Sequence, residues 1–273
     1  MMRPAATSLS GVSVQADGSR AVHRTLPEEV AVAMVFNGST QAVMMATPAD
    51  ITDFAYGFAL TEGVITSLAQ VEGFEIVEHP HGIEARFWLT EGRAEAIAAR
   101  RRFMAGPVGC GLCGIDSLEQ ADRALPQVGG ANLRFSRAEI AGATDALRGH
   151  QPLHDQTRAT HAVGFMRPGE GIIFAREDVG RHNALDKLIG AMARDRVDPA
   201  QGAFVLTSRL SVELVQKCAI AGCPVLIAVS APTAHALRLA TDAGITLVAF
   251  ARGGGFDIYS HPHRITSEVP HVA

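Results

Sequence analysis

Beyond residue 170 the chain repeats one rhythm, short β-rich runs alternating with helical ones: "GIIFA", "NALDKLIGAMARD", "AFVLT", "SVELVQKCAIAG", "PVLIAVS", "TAHALRLATDAG" and "ITLVAFA". This βαβαβαβ succession predicts a largely parallel sheet covered by helices. Gly222 and Gly244 stand where helix C-caps belong. In an open sheet of this kind ligands gather at the carboxyl ends of the strands, so the residues that follow each run are the first place to seek a site.

The first hundred residues follow a different pattern. "EEVAVAMVFNGSTQAVMMATP" alternates apolar residues about Asn37-Gly38, a pair that tolerates positive φ and predicts a β-hairpin. Thr47 offers an N-cap with Pro48 at the first helical position, and "ADITDFAYGFALTEG" keeps helical periodicity to Gly63. Two further strands, "GFEIVEH" and "GIEARFWLT", flank "PHG" and precede a helix over "EGRAEAIAARRRF". The fold expected is α/β, with a flexible tail over 1–24, a smaller α+β domain over 25–106, a cysteine loop over 107–120 and an α/β domain over 121–273. The stretch from 121 to 170 is too irregular to assign.

Bulk properties narrow the partners. The chain lacks a run of 18 uncharged apolar residues, which excludes an obvious membrane span, and its N-terminus lacks the apolar stretch of a secretory signal, so a cytoplasmic location is expected. A formal charge of −4 with interspersed signs lacks the basic footprint of a nucleic-acid binder. Four cysteines in 273 residues do not make a disulfide scaffold.

The stretch "VGCGLCGIDSLEQ", 108 to 120, satisfies three patterns at once. Gly109, Gly111 and Gly114 spell a dinucleotide turn, but a helix rather than a strand precedes them, so the context fails. Zinc needs further ligands, and the H-x-E that accompanies P-C-x-x-C in zinc deaminases is missing upstream. Cys218 and Cys223 could complete a four-cysteine site, yet they fall in a buried helix and at the entrance to a core strand, where free thiols serve as packing. What remains is a pair of thiols, Cys110 and Cys113, in a glycine-rich loop before a helix that Asp116 or Ser117 can cap. There the helix N-terminus favours a nucleophilic thiolate. A structural metal site and inert cysteines stand as the alternatives.

With these residues on the page the chain resembles the FdhD family, the formate dehydrogenase accessory sulfur carriers. The likeness runs from about Thr25 to about Ile265 through "TPADITDFAYGFALTEGVI", "CGLCGIDSLE", "REDVGRHNALDK" and "AGCPVLIAVSAPTAHALRLATDAGITLVAFARG". The resemblance implies a cytoplasmic homodimer whose C-terminal part is a cytidine-deaminase-like three-layer α/β domain without the deaminase zinc. It implies a task as well: sulfur accepted as a cysteine persulfide from a cysteine desulfurase and passed to the molybdenum bis-guanine-dinucleotide pterin cofactor before that cofactor enters formate dehydrogenase. Carried onto this sequence, Cys110 matches the persulfide carrier and Cys113 its companion. The cofactor segment falls on Phe250, Ala251, Arg252, Gly253, Gly254 and Gly255, and guanine nucleotides such as GDP would be partial mimics. The chain departs from the family at Arg158 and Ala159, which replace a Thr-Gly-Gly-like stretch, and at the triple glycine itself.

The strand ends fit such a cargo. "GIIFA" leads into Arg176, Glu177, Arg181, His182 and Asn183, "AFVLT" into Ser208 and Arg209, "PVLIAVS" into Thr233, and "ITLVAFA" into Arg252 and the glycines. Arginines, hydroxyls and free N–H groups at helix starts suit pyrophosphate and a guanine base, which selects Arg181, His182 and Ser208 beside the 250–255 segment. Each has a plainer reading: Asn183 and Ser211 as helix caps, Arg176 with Glu177 as a solvated ion pair, His182 as a structural histidine, His235 as helix surface, "SHPH" as a tail, and Gly253 to Gly255 as a loop. Two other classes compete, a nucleotide-cofactor chaperone with a structural C-x-x-C and a zinc-dependent base hydrolase.

Overall fold

The computed structural model describes residues 3–93, 125–129 and 132–266. Ala6–Gln15 (β1) and Gly18–Pro27 (β2) form a two-stranded antiparallel hairpin in full register, so the segment expected as a flexible tail is a β-arm. Its signal is the Asp17-Gly18 turn, with Gly18 at φ 138°, between runs in which Leu9, Val12, Val14 and Val22 punctuate serines and threonines.

Val30–Phe36 (β3) and Ser39–Ala46 (β4) are the expected hairpin, and Asn37 and Gly38 both take positive φ, 48° and 75°. Ile51–Thr61 (α1) follows, with Asp50 rather than Thr47 at its N-cap position and without a side-chain capping bond, while Thr47 lies buried outside the helix. Val71–His79 (β5) and Gly82–Leu89 (β6) complete a four-stranded sheet of order β4-β3-β6-β5, with β3 and β6 parallel at its centre. Alternate residues Val32, Met34, Phe36, Ile83, Ala85 and Phe87 point to one face, where Phe54, Ala55 and Phe58 of α1 meet them.

The second unit comprises Phe135–Ser136 (β7), Arg137–Arg148 (α2), Pro152–Thr157 (α3), His161–Arg167 (β8), Gly171–Asp178 (β9), Arg181–Arg194 (α4), Ala203–Leu206 (β10), Val212–Ala221 (α5), Val225–Ala228 (β11), Ala234–Asp242 (α6), Thr246–Arg252 (β12), Gly255–Ile258 (β13) and Ile265–Thr266 (β14). Its six-stranded sheet has the order β13-β12-β11-β10-β8-β9. Only β10, β11 and β12 pair in parallel; β8 is antiparallel to both neighbours and β13 to β12. The expectation of a largely parallel sheet is therefore corrected to a mixed one. A tight turn with Gly169 and Gly171 at positive φ joins β8 to β9 where the βαβ rhythm would need a helix, and β8 itself falls in the stretch that gave no readable pattern.

The sheet is the middle of three layers. Along β10, Ala203 and Val205 face α2 with Ile140, Ala143 and Leu147, whereas Phe204 and Leu206 face α4, α5 and α6 with Leu188, Leu214 and Ala240. Burial on both faces explains why β10 and β11 read as continuous apolar runs. "SHPH" is no tail: Ser260 is buried and its hydroxyl donates to the Ile245 carbonyl, and Arg264 donates to Gly244 and Gly129. Among the described residues, no helix is long and apolar enough to cross a membrane.

The two units meet where α1 crosses α4. A Cβ at Gly57 would lie 1.7 Å from the Asp186 carbonyl oxygen and one at Gly190 would lie 1.9 Å from that of Asp53, so backbone touches backbone with no room for a methyl group. Overpacking of a fitted contact costs about 1–3 kcal/mol, and here the obstacle is backbone that cannot swing aside. Gly190→Ala and Gly57→Ala are each expected to lower unfolding free energy by at least that amount in urea titration, whereas Gly142→Ala, with open space around it, should not.

Candidate functional site: a buried joint beneath a polar rim

The "REDVGRHNALDK" segment runs from the end of β9 into the first turns of α4, and its side chains divide in two directions. The inward set is anchored on Lys187, which is fully buried on α4. Its ammonium reaches Asp178 Oδ2 at 2.7 Å and the Thr47 carbonyl at 2.9 Å. Asp178, also fully buried, accepts further from the Thr47 N–H at 3.0 Å, the Gly180 N–H at 2.8 Å and the Asn183 amide at 3.0 Å. Asn183 also donates to the Met45 carbonyl, and the Val179 N–H donates to the Thr47 hydroxyl. Asn183 is thus the third residue of α4 and a cross-unit tie rather than a cap. Thr47, expected as an N-cap, offers its N–H, hydroxyl and carbonyl to the second unit.

Two neighbouring clusters extend the joint. Asp53 of α1 receives Arg176 at 2.8 Å and Arg194, so Arg176 pairs across the units and not with Glu177; the latter accepts from the Leu153 and His154 N–H groups. Lys217 of α5 donates to Thr61 Oγ1, Glu62 Oε1 and Asp186 Oδ2 at 2.8, 2.7 and 3.0 Å, and Thr61 in turn donates to Asp186 at 2.8 Å. Burial raises the Asp186 carboxyl to about 6 against the pull of Lys217.

The outward set lies on a rim where the carboxyl ends of β9, β10, β11 and β12 open into loops and helix starts. Arg181 and His182 begin α4, and Ser211 and Glu213 begin α5. His182 Nε2 meets Ser211 Oγ at 3.2 Å and Glu213 Oε2 at 3.7 Å. Burial first and the Arg181 guanidinium second lower His182 to about 4, so the ring is neutral at pH 7. Serine and glutamate share the same ring nitrogen, so this is not a nucleophile–base–acid relay, which needs the carboxylate on the opposite nitrogen. Among the described residues, the Nε of Arg181 is buried without a hydrogen-bond partner. Ser208 is buried with its hydroxyl on the Arg209 carbonyl.

Phe250 to Gly255 occupy the same rim at the far end of β12. Phe250 takes φ 53° within a β-bulge between Ala249 and Arg252, and its ring lies 6.5 Å from that of Tyr259. Gly253 and Gly254, at φ 61° and 79°, make the two-residue turn into β13, a conformation that explains both glycines without a ligand. Ala251 is buried and accepts a hydrogen bond from Thr144, whereas Arg252 and the three glycines are exposed. The strand-end reading therefore brings Arg181, His182, Ser208 and the 250–255 segment to one edge of one sheet. Cys110 and Cys113 lie outside the described residues. Cys218 and Cys223 are fully buried in the core and hydrogen-bond to carbonyl oxygens, as packing thiols do.

Sequence reasoning missed Thr47, Asp53, Asp178, Asp186, Lys187 and Lys217 as a network. A signal existed: Lys187 and Lys217 stand on the apolar faces of periodic helices, a placement tolerated only when every donor is satisfied. Glu213 had no such signal, because its approach to His182 depends on how two helix starts converge.

A helix-covered mixed sheet with a polar rim at its strand ends, buttressed by a small sheet-and-helix unit, defines a two-unit α/β protein. The FdhD/NarQ family model matches residues 27–266, and the chain belongs to that family. The sulfur carrier protein FdhD of Agrobacterium fabrum is 52% identical over 242 residues, covering 89% of both chains. That of Bordetella petrii is 47% identical over 238 residues, covering 87% of this chain and 85% of its own. A crystal structure from Desulfotalea psychrophila, assigned as a formate dehydrogenase accessory protein, superposes with a TM-score of 0.77 at 25% identity, covering 96% of this chain and all of that one.

Removing one partner of a buried ion pair strands the other charge at a cost of about 3–5 kcal/mol. Lys187→Met is expected to destabilise the protein by that order in denaturant titration, and Lys187→Met with Asp178→Asn by less than the sum of the two singles. The pH dependence has a definite sign. His182 is depressed in the folded state to about 4 from an unfolded value near 6.5, so its contribution is present above pH 6.5 and lost as pH falls through about 4. Urea titrations between those limits should show stability falling less steeply on acidification in His182→Gln than in the parent.

Proposed function

We propose that this protein is a sulfur carrier for formate dehydrogenase maturation, with Cys110 as the persulfide site. The observation that carries the reading is that the C-x-x-C of Cys110 and Cys113 falls inside the span matched by the family model, in a chain about half identical to curated sulfur carriers. In the first step the Cys110 thiolate attacks the outer sulfur of a cysteine desulfurase persulfide; the donor S–S bond breaks and the donor cysteine leaves as thiolate. In the second, Cys113 attacks the inner sulfur of the Cys110 persulfide, forming the Cys110–Cys113 disulfide and releasing the outer sulfur as sulfide, the form that binds a metal.

The recipient is molybdenum in the bis-guanine-dinucleotide pterin cofactor, bound as substrate before it enters formate dehydrogenase. Support for that cargo comes from the rim. Arg181 and His182 begin a 14-residue helix whose N-cap, Gly180, offers no side-chain acceptor, a setting that favours pyrophosphate. The exposed Arg252 with Gly253 and Gly254 leaves uncrowded backbone for a nucleotide arm, and Ser208 lies buried beneath the same rim. GDP serves as a partial mimic of one arm. The protein acts as a homodimer in the cytoplasm, with the desulfurase and formate dehydrogenase as its partners.

Incubation with a cysteine desulfurase and cysteine is expected to add about 32 Da to the peptide containing Cys110, and reduction by a thiol should remove it. Cys110→Ala should abolish both the adduct and formate dehydrogenase maturation, and Cys113→Ala should keep the adduct while slowing sulfur release. A Cys110→Ala protein that still matures the enzyme would replace this reading with a cofactor chaperone whose cysteines are structural.

A further inference from the structure

Among the described residues, the β1–β2 arm is the one two-stranded element of its length that neither large sheet absorbs. An isolated two-stranded hairpin is marginal in water, and its unpaired edges invite association. Here ten residue pairs stay in register, and the outer half carries apolar side chains bare: Val12 is 70% exposed and Val14 73%, both on the face they share with Ala21. Two residues, Glu28 and Glu29, join the arm to β3, its base is tied by the Glu28 N–H to the Ala5 carbonyl and by Arg3 to the carbonyls of His79 and Pro80, and β2 runs beside α3 of the second unit. Ten residues at ~3.4 Å carry the tip roughly 34 Å from that base. Nearly every residue from Ser8 to Ala21 is exposed, so nothing described in the same chain covers the tip.

A second bare apolar patch exists on the same unit. Val43 and Met45 of the edge strand β4 are 40% and 46% exposed on the outer face of the four-stranded sheet, opposite Ala33 and Ala31 of β3. We infer that these two patches are halves of one interface between two copies of this chain: the arm of each copy lies across Val43 and Met45 of the other. A two-fold axis makes every contact twice, so one operation covers both patches on both copies. The bare outer part, eight strand positions or about 27 Å long and about 10 Å wide, covering as much partner surface as it loses, buries about 1,100 Å² over two arms, above the roughly 1,000 Å² a specific interface needs.

The inference rests on the homodimer of the proposed function and assigns its surface; sulfur loading on Cys110 does not depend on it. The test is sedimentation of the full chain at about 10 µM, beside Val12→Glu with Val14→Glu and, separately, Val43→Glu with Met45→Glu. The parent is expected to sediment as a dimer, and both double variants as monomers with unchanged far-UV circular dichroism and unchanged sulfur loading. Val14→Cys with Met45→Cys, in a Cys110→Ser, Cys113→Ser background, should oxidise to a disulfide between chains. A monomeric parent would overturn both the arm exchange and the homodimer. Dimeric variants would overturn the exchange alone, and loss of formate dehydrogenase maturation in variants that remain dimers would reassign the arm to the client enzyme.

Discussion

The ion pair between Lys187 and Asp178 holds the rest of the structure in place. Neither charge touches water, and each buried ion carries a desolvation cost of several kcal/mol that attraction repays only where all remaining donors and acceptors are matched. They are matched by backbone of the other unit: Lys187 takes the carbonyl of Thr47, and Asp178 takes its N–H. Pulling the units apart would leave the pair intact but strip each of its charges of the Thr47 backbone group that completes its shell. The close backbone approach at Gly57 and Gly190 lies along the same crossing, so steric fit and charge satisfaction specify one relative placement of α1 and α4.

The same carboxylate that closes the joint also shapes the rim. Asp178 accepts the Gly180 N–H and the Asn183 amide, which pins the turn entering α4. The turn pinned from beneath fixes the backbone from which Arg181 and His182 start α4. Thus one short segment holds both kinds of residue without separating them in sequence: Asp178, Asn183 and Lys187 lock the units together, and Arg181 and His182 lie at the rim.

The legibility of the molecule follows this division. The β3–β4 hairpin, α1, β5, β6 and the elements from β9 to β12 were readable because local periodicity and turn chemistry coincide with their tertiary roles. Gly222 and Gly244 end their helices at positive φ, 82° and 77°, as their positions implied. β8 was not readable, since a strand buried on both faces within "HAVGFMR" shows no period-two alternation. The arm was hidden by its serines, which look like a tail unless the register across Asp17-Gly18 is drawn. At the site, strand-end logic located Arg181, His182, Ser208 and the 250–255 segment, because where a strand stops is a local property. Which side chains turn inward is not local: Thr47 was read as a cap from its neighbour Pro48, and only the presence of Asp178, 131 residues away, makes it a tie.

Phe250 shows how the rim is held at its other end. A non-glycine residue in the left-handed region costs about 1–3 kcal/mol and persists only where its surroundings over-determine it. Here Ala249 pairs with Asp257 before the bulge and Arg252 with Gly255 after it, while the Phe250 N–H donates to the Ser230 carbonyl of the neighbouring loop. The bulge must therefore place its extra residue between two fixed rungs, which turns the ring toward Tyr259 and frees the Arg252 side chain at the exposed edge. A straight strand would aim successive side chains alternately into the two helix layers. The distortion at Phe250 breaks that alternation where β12 reaches the rim, so the strain falls at the strand end, outside the packed middle of the sheet.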